Sequence, residues 1–191
     1  MKKRFEWSVH PFAISGLFLL LFASPAPYAF AVLSSVILHE LGHTMAAVLL
    51  GKRVIGVRIV PTGLNITLSA PSSYAEEICI AAAGPLMNLL YAISAPLLPY
   101  GLGGVVVSVS LLLMLLNLLP LVSLDGGRML GAALSVLFGV NTAERVLSLL
   151  TLVILWMLWT LSLYVFFYSG VNFMLLLFCA YLFSYIVLKK L

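Results

Sequence analysis

Charged residues are scarce in this sequence. Only 8% of its 191 residues are Asp, Glu, Lys or Arg, whereas 63% are hydrophobic, and the mean hydropathy is +1.20. A soluble domain carries about 25% charged residues, so this chain has too little polar surface to cover itself in water. The composition excludes an ordinary soluble fold, and a net charge of only +4 gives no reason to expect nucleic acid as a partner.

Cysteine is nearly absent as well. The two residues, Cys79 and Cys179, both lie in apolar runs. Cysteines in such surroundings usually behave as small buried hydrophobic residues. We therefore expect both to be buried, and a disulfide or a thiolate ligand is the less favoured alternative.

Long apolar runs dominate the rest of the chain, and a spanning helix needs about 20 such residues. They predict an all-α integral membrane protein in which residues 1–191 form a single domain with six transmembrane helices. The basic start followed by an apolar stretch also resembles a secretory signal, but the next apolar run follows almost at once. The six predicted spans cover about 9–23, 28–50, 74–97, 104–138 (broken near 120–126), 144–168 and 171–188.

Basic residues are confined to a few places, which predicts the topology. If the N-terminus is cytoplasmic, all ten lie on the cytoplasmic side, as the positive-inside rule requires. The C-terminus is then cytoplasmic too, and the outer connections carry no charge. The ten residues are Lys2, Lys3, Arg4, Lys52, Arg53, Arg58, Arg128, Arg145, Lys189 and Lys190.

Residues 54–69 do not resemble a simple loop. A stretch rich in β-branched residues precedes the turn at 61–63, and apolar and polar residues then alternate. This pattern predicts a small membrane-associated β-hairpin beside the second predicted span. An exposed strand edge can hold an extended peptide; the alternative is a hairpin that only packs on the bilayer interface.

The most informative polar residues are His39, Glu40 and His43, which stand inside the second predicted span. Histidines four apart share one face of a helix, so both can reach one metal ion, and the glutamate can take a proton from a water molecule. Ionisable groups at membrane depth are costly and indicate function. At a rise of 1.5 Å per residue, His43 lies roughly 10 Å from the cytoplasmic end of its helix.

A catalytic zinc site needs a third protein ligand, and candidates are few. Asp125 follows a proline-broken apolar segment and precedes two glycines, which predicts unwound backbone around it. Such backbone is tolerated at membrane depth only when it is buried or lines a cavity. Asp125 is therefore the predicted third ligand; the alternative is an acid at the inner surface, paired with Arg128.

A third polar position, Asn88, closes the stretch Gly84-Pro85-Leu86-Met87-Asn88. Its small residues permit close packing of helices. The amide of Asn88 can hydrogen-bond a substrate backbone or a developing oxyanion. The alternative is a hydrogen bond between helices with no chemical role.

Together these elements resemble the site-2 protease family of intramembrane zinc metalloproteases. The matching elements are 39–43, 84–88 and the pair 117–120 and 124–128, in that order. The resemblance implies that His39, His43 and Asp125 bind zinc and that Glu40 is the general base. It also implies that Asn88 and Asn117 line the substrate site.

The opening of the first span with His10-Pro11 looks like the sporulation branch of that family, which processes a membrane-tethered sigma factor precursor. The expected activity is thus zinc-dependent cleavage of a single-span or membrane-tethered protein, such as a sigma factor precursor or an anti-sigma factor, within or next to its transmembrane segment. The expected location is a bacterial-type cell membrane, with the active site open toward the cytoplasm and a regulatory membrane protein as a further partner. The alternatives are a metal-ion transporter, which would need polar groups continuing to the outer face, and a binding relative without activity.

Overall fold

The computed structural model describes residues 6–9, 24–60, 63–69, 71, 73–99, 101–169, 179–180 and 183. The chain divides into two compact units, Met1–Leu119 and Pro120–Leu191. The first unit contains β1 (Glu6–Val9), α1 (Ala26–Leu49), β2 (Val54–Val60), β3 (Gly63–Leu68), α2 (Tyr74–Ser94), a 3-10 turn (Ala95–Leu97) and α3 (Leu102–Asn117). The second contains α4 (Asp125–Phe138) and α5 (Val140–Ser169).

Helix α1 carries the histidine motif, and both of its ends are set by local sequence. Pro25 caps the helix and Pro27 stands in its first turn, where the missing N–H of proline costs nothing. At the other end Gly51 adopts a left-handed φ of 74°. The N–H of Gly51 then donates to Val48 and that of Lys52 to Ala47, which closes the last turn.

Helix α2 begins at a side-chain cap and is interrupted by a proline. The hydroxyl of Ser73 accepts a hydrogen bond from the backbone N–H of Glu76 at 3.2 Å, as the serine–glutamate spacing favours. Pro85 stands inside the helix and cannot donate to the carbonyl four residues earlier. Lys52 and Glu76 form an ion pair at 2.6 Å between the end of α1 and the start of α2.

Small residues bring the helices of the first unit close together. A Cβ on Gly42 of α1 would lie 2.5 Å from the carbonyl oxygen of Ala83 on α2, so only glycine fits there. Ser35 of α1 and Ser110 of α3 are fully buried and share a hydrogen bond of 2.8 Å. Close backbones joined by small polar groups are typical of helix packing in membranes.

A three-stranded sheet accompanies these helices, in the order β1-β2-β3. Strand β2 pairs antiparallel with β3, for example Val57 with Ile66. Strand β1 pairs parallel with β2, with Trp7 opposite Val57. Strand β1 was not predicted from the sequence, because four residues beside an apolar run carry too little periodicity to identify a strand.

The irregular segment before α4 packs against both helices of the second unit. Leu121 is fully buried, and a Cβ on Gly127 would collide with the Leu121 carbonyl oxygen. The backbone N–H of Val122 donates to the hydroxyl of Thr151 on α5 at 3.1 Å. The residues before α4 are therefore held in place although they lie outside any helix.

Three of the described helices are long and apolar enough to cross a membrane, namely Ala26–Leu49, Tyr74–Leu97 and Val140–Tyr168. The fourth predicted span is two helices, α3 and α4, and the break covers 118–124 rather than 120–126. Asp125 is thus the first helical residue of α4, and the glycines after it are helical, contrary to the unwound backbone predicted for them. Residues 10–23 of the first predicted span, and all but 179–180 and 183 of the sixth, lie outside the described residues, so six spans stay a prediction. Cys179 is buried as predicted, but Cys79 is exposed, so that prediction was wrong.

Candidate metal centre

The two histidines of α1 meet at their Nε2 atoms. His39 and His43 are 5% and 7% exposed, and their Nε2 atoms lie 3.1 Å apart. Four residues of helical spacing place the rings on one face, and their planes are perpendicular with centroids 4.7 Å apart. The arrangement turns the same nitrogen of each ring toward a common point.

Helix α2 holds the opposite nitrogen of each ring. His43 Nδ1 lies 2.8 Å from the backbone carbonyl oxygen of Ile80, to which it donates. His39 Nδ1 lies 3.0 Å from Nδ2 of Asn88, which is fully buried. Because both Nδ1 atoms are engaged, each imidazole is left with Nε2 for a metal.

Gly84 of α2 lies directly against both rings. A Cβ at this position would meet His43 Nε2 and Cε1 and would lie 2.8 Å from His39 Cε1. Contacts this short require something to move, so only glycine permits the observed ring positions. The sequence indicated close helix packing at 84–88, but it could not show that the groups packed there are the imidazoles.

Asp125 begins α4, where its carboxylate favours the positive end of the helix. The residue is 6% exposed, and its Oδ1 accepts a hydrogen bond from Arg128 Nη1 at 3.3 Å. The pairing with Arg128 that was the alternative to metal binding is therefore present. A carboxylate has several acceptor positions, so the hydrogen bond from Arg128 does not prevent the carboxylate from binding a metal ion.

His39, His43 and Asp125 are the candidate metal ligands. Each is buried and offers one ligand atom, and the Nε2 atoms of the two imidazoles lie 3.1 Å apart. Two imidazoles and one carboxylate are a donor set that catalytic zinc takes in proteins. The residues present therefore fit zinc.

The remaining predicted site residues have different surroundings. Glu40 is half-buried on α1, one position after the first histidine, and its backbone carbonyl accepts from the hydroxyl of Thr44 at 2.9 Å. Asn117 is the last residue of α3, and its Nδ2 donates to the Leu113 carbonyl of its own helix at 3.0 Å. The described contacts of Asn88 lead to a histidine, whereas those of Asn117 lead to backbone.

Comparison with known proteins identifies relatives of this chain. Residues 27–104 match peptidase family M50. A zinc metalloprotease of Methanocaldococcus jannaschii is 30% identical over 139 residues, which are 68% of this chain and 38% of the relative. The chain thus spans well under half the length of that curated relative.

A solved structure shares the fold. The site-2 protease from Methanocaldococcus jannaschii superposes with a TM-score of 0.69 at 22% identity, over 96% of this chain and 89% of that one. Its likeness supports the helical architecture, and the family match covers both the histidine motif and the stretch around Asn88. Residues 27–104 of the chain form a domain of peptidase family M50, the site-2 protease family.

Proposed function

We propose that this protein is an intramembrane zinc metalloprotease in which His39, His43 and Asp125 hold the metal and Glu40 is the general base. The observation that carries the proposal is the pair of buried imidazoles on α1, whose Nε2 atoms lie 3.1 Å apart, together with the buried carboxylate of Asp125. The glutamate next to the first histidine separates a hydrolytic site from a purely structural one. The zinc metalloprotease relative supports the same activity.

Each residue has a distinct part in the chemistry. Zinc, when bound, supplies a Lewis acid that polarises the scissile carbonyl and lowers the pKa of water. Glu40 takes a proton from the attacking water and later delivers it to the leaving amine. Asn88 and Asn117 offer amide groups for the substrate backbone, and burial of the site strengthens each of these hydrogen bonds.

The substrate we propose is a membrane-tethered protein cut within or next to its transmembrane segment. A helical substrate keeps its amides in its own hydrogen bonds, so it must be locally extended to be cut. In the sheet β1-β2-β3, β2 has two neighbours and β3 has one. Among the residues that the structure describes, no further strand pairs with β3, so its outer edge offers backbone groups to an extended segment by strand addition.

Topology and substrate class follow from the charges and the resemblance. With both termini cytoplasmic, the basic residues lie inside and the site opens toward the cytoplasm. A precursor sigma factor or an anti-sigma factor is a substrate of the proposed kind, since its release from the membrane would be the output of the cut. In this proposed topology the chain crosses the membrane six times.

Replacing Asp125 by asparagine tests the ligand set. The substitution keeps the size of the side chain and removes its charge, and zinc prefers an anionic carboxylate to an amide among oxygen donors. Purified wild-type protein is expected to bind one zinc per chain. In Asp125→Asn we expect zinc affinity, measured by chelator competition, to fall by more than the roughly 10- to 100-fold that loss of an outer partner costs.

The matched control is Glu144→Gln, which neutralises an exposed acid in the first turns of α5. It is expected to bind zinc as the wild type does. Equal zinc affinity in Asp125→Asn and Glu144→Gln would show that Asp125 is no ligand and that its pairing with Arg128 is its whole role.

A further inference from the structure

The ring of His43 has a defined tautomer. Its Nδ1 lies 2.8 Å from the backbone carbonyl of Ile80, which can only accept a hydrogen bond. Nδ1 therefore carries a hydrogen, and in a neutral imidazole Nε2 is then an unprotonated acceptor. This Nε2 faces the Nε2 of His39 at 3.1 Å.

Without a metal, the tautomer of His39 follows from that of His43. Two unprotonated nitrogens at this distance would repel, so His39 Nε2 must carry the hydrogen and donate it to His43. Nδ1 of His39 is then the acceptor, and Asn88 Nδ2 donates to it at 3.0 Å. This arrangement leaves Oδ1 of Asn88 buried, with no hydrogen-bond partner among the residues that the structure describes.

Metal binding reverses the assignment at His39 and leaves that of His43 unchanged. A nitrogen that ligates a metal carries no hydrogen, so the hydrogen of His39 must move from Nε2 to Nδ1. An Nδ1–H that faces the NH₂ group of Asn88 would set donor against donor. Rotation of the Asn88 amide by 180° exchanges its nitrogen and oxygen and restores a hydrogen bond.

We propose that Asn88 is a positioning residue for the zinc ligand His39, and that its amide turns over when the metal binds. In the loaded protein Oδ1 accepts from His39 Nδ1–H and holds the ring with Nε2 toward the metal. The inference rests on the proposed zinc site. An outer acceptor of this kind orients most metal-binding histidines, and the fully buried amide of Asn88, 3.0 Å from His39 Nδ1, is placed to be one.

The rotated amide also accounts for a second use of Asn88. Once Oδ1 holds His39, both N–H groups of Nδ2 are free of the histidine and can donate to substrate. One side chain then serves the ligand through its oxygen and the substrate through its nitrogen. A variant that keeps only the acceptor separates the two uses.

The test compares zinc affinity of the full chain in detergent for wild type, Asn88→Asp and Asn88→Ala, by competition with a chelator. The aspartate keeps an acceptor for Nδ1–H and lacks a donor. We expect Asn88→Asp to bind zinc at least as tightly as wild type and Asn88→Ala to bind roughly 10- to 100-fold more weakly. With a tethered substrate, Asn88→Asp should also show a lower kcat, because it retains zinc but has lost the amide donor.

Two results would overturn the proposal: equal affinity in Asn88→Ala and wild type, or equally weak binding in Asn88→Asp and Asn88→Ala. The first would leave Asn88 as a packing residue, and the second would make it only a donor. Failure of wild-type protein to bind zinc is a different result, which would refute the metal site itself.

The tautomer of His39 gives a readout that neither packing nor added charge would produce. The chain has three histidines, so the ¹⁵N signals of His39 in histidine-labelled protein can be assigned by their loss in His39→Gln. Wild type should pass from the Nε2–H to the Nδ1–H tautomer on zinc addition. Asn88→Asp should keep a hydrogen on His39 Nδ1 with and without zinc, because its carboxylate can only accept, and an Nδ1 without a hydrogen in that variant would contradict the inference.

Discussion

Replacing Gly84 by alanine is expected to abolish zinc binding and, with it, peptide-bond hydrolysis. The added Cβ would collide with ring atoms of His43 and lie 2.8 Å from His39 Cε1. Neither ring can simply retreat, because Ile80 and Asn88 hold their Nδ1 atoms. Ligands must stay within about 0.5 Å of their working positions, so we expect at least a roughly 100-fold loss of zinc affinity, measured by chelator competition.

Gly104→Ala is the matched control. An added Cβ there meets nothing within 4 Å, and alanine favours a helix over glycine. Circular dichroism and thermal unfolding of both variants would separate loss of zinc from loss of fold. If Gly84→Ala kept both its helical content and the zinc affinity of Gly104→Ala, the close contact between Gly84 and the imidazoles would have no functional meaning.

Replacing Glu40 by glutamine is expected to stop catalysis without removing the metal. The amide has nearly the size of the carboxylate but cannot take a proton from water. General acid–base catalysis contributes roughly 10²- to 10⁴-fold, and kcat should fall by that factor. Zinc content, measured on the same preparation, should remain at one per chain, since Glu40 is not one of the three proposed ligands.

Glu77→Gln is the control for Glu40→Gln, because Glu77 lies in the first turn of α2, outside the proposed machinery. It should cleave at the wild-type rate. Full activity in Glu40→Gln would remove the general base from the mechanism, and loss of zinc in that variant would assign Glu40 a part in holding the metal.

The sequence restricts the candidate ligands to a few residues because polar side chains are costly at membrane depth. His39 and His43 stand in an apolar run where ionisable groups need a reason to be present. Asp125 is the predicted third ligand because few other acidic residues lie at a similar depth in the predicted spans. All three residues are buried, and the apolar runs at 28–50 and 74–97 correspond closely to α1 and to α2 with its 3-10 turn.

Features that depend on how α1 and α2 pack could not be read from the sequence. The contact of Asn88 with His39 joins residues 49 positions apart, and no spacing rule predicts which side chain an interhelical amide will meet. Gly84 indicates that another helix packs closely at this position, but it does not indicate which side chains lie there. The break before α4 was placed too late because Gly126 and Gly127, which favour irregular backbone in isolation, are helical here and buried.

Cleavage of a membrane-tethered substrate by the purified protein in lipid vesicles is the decisive test of the proposed zinc-dependent proteolysis. The products would be located by mass spectrometry with zinc present, after chelation and after zinc is restored, while zinc flux across the vesicles is followed in parallel. We predict a cut within or next to the transmembrane segment. Cleavage should be lost on chelation and regained when one zinc per chain is restored, and no zinc should cross the vesicle membrane. Zinc flux without cleavage, or cleavage that persists in the chelated protein, would contradict it.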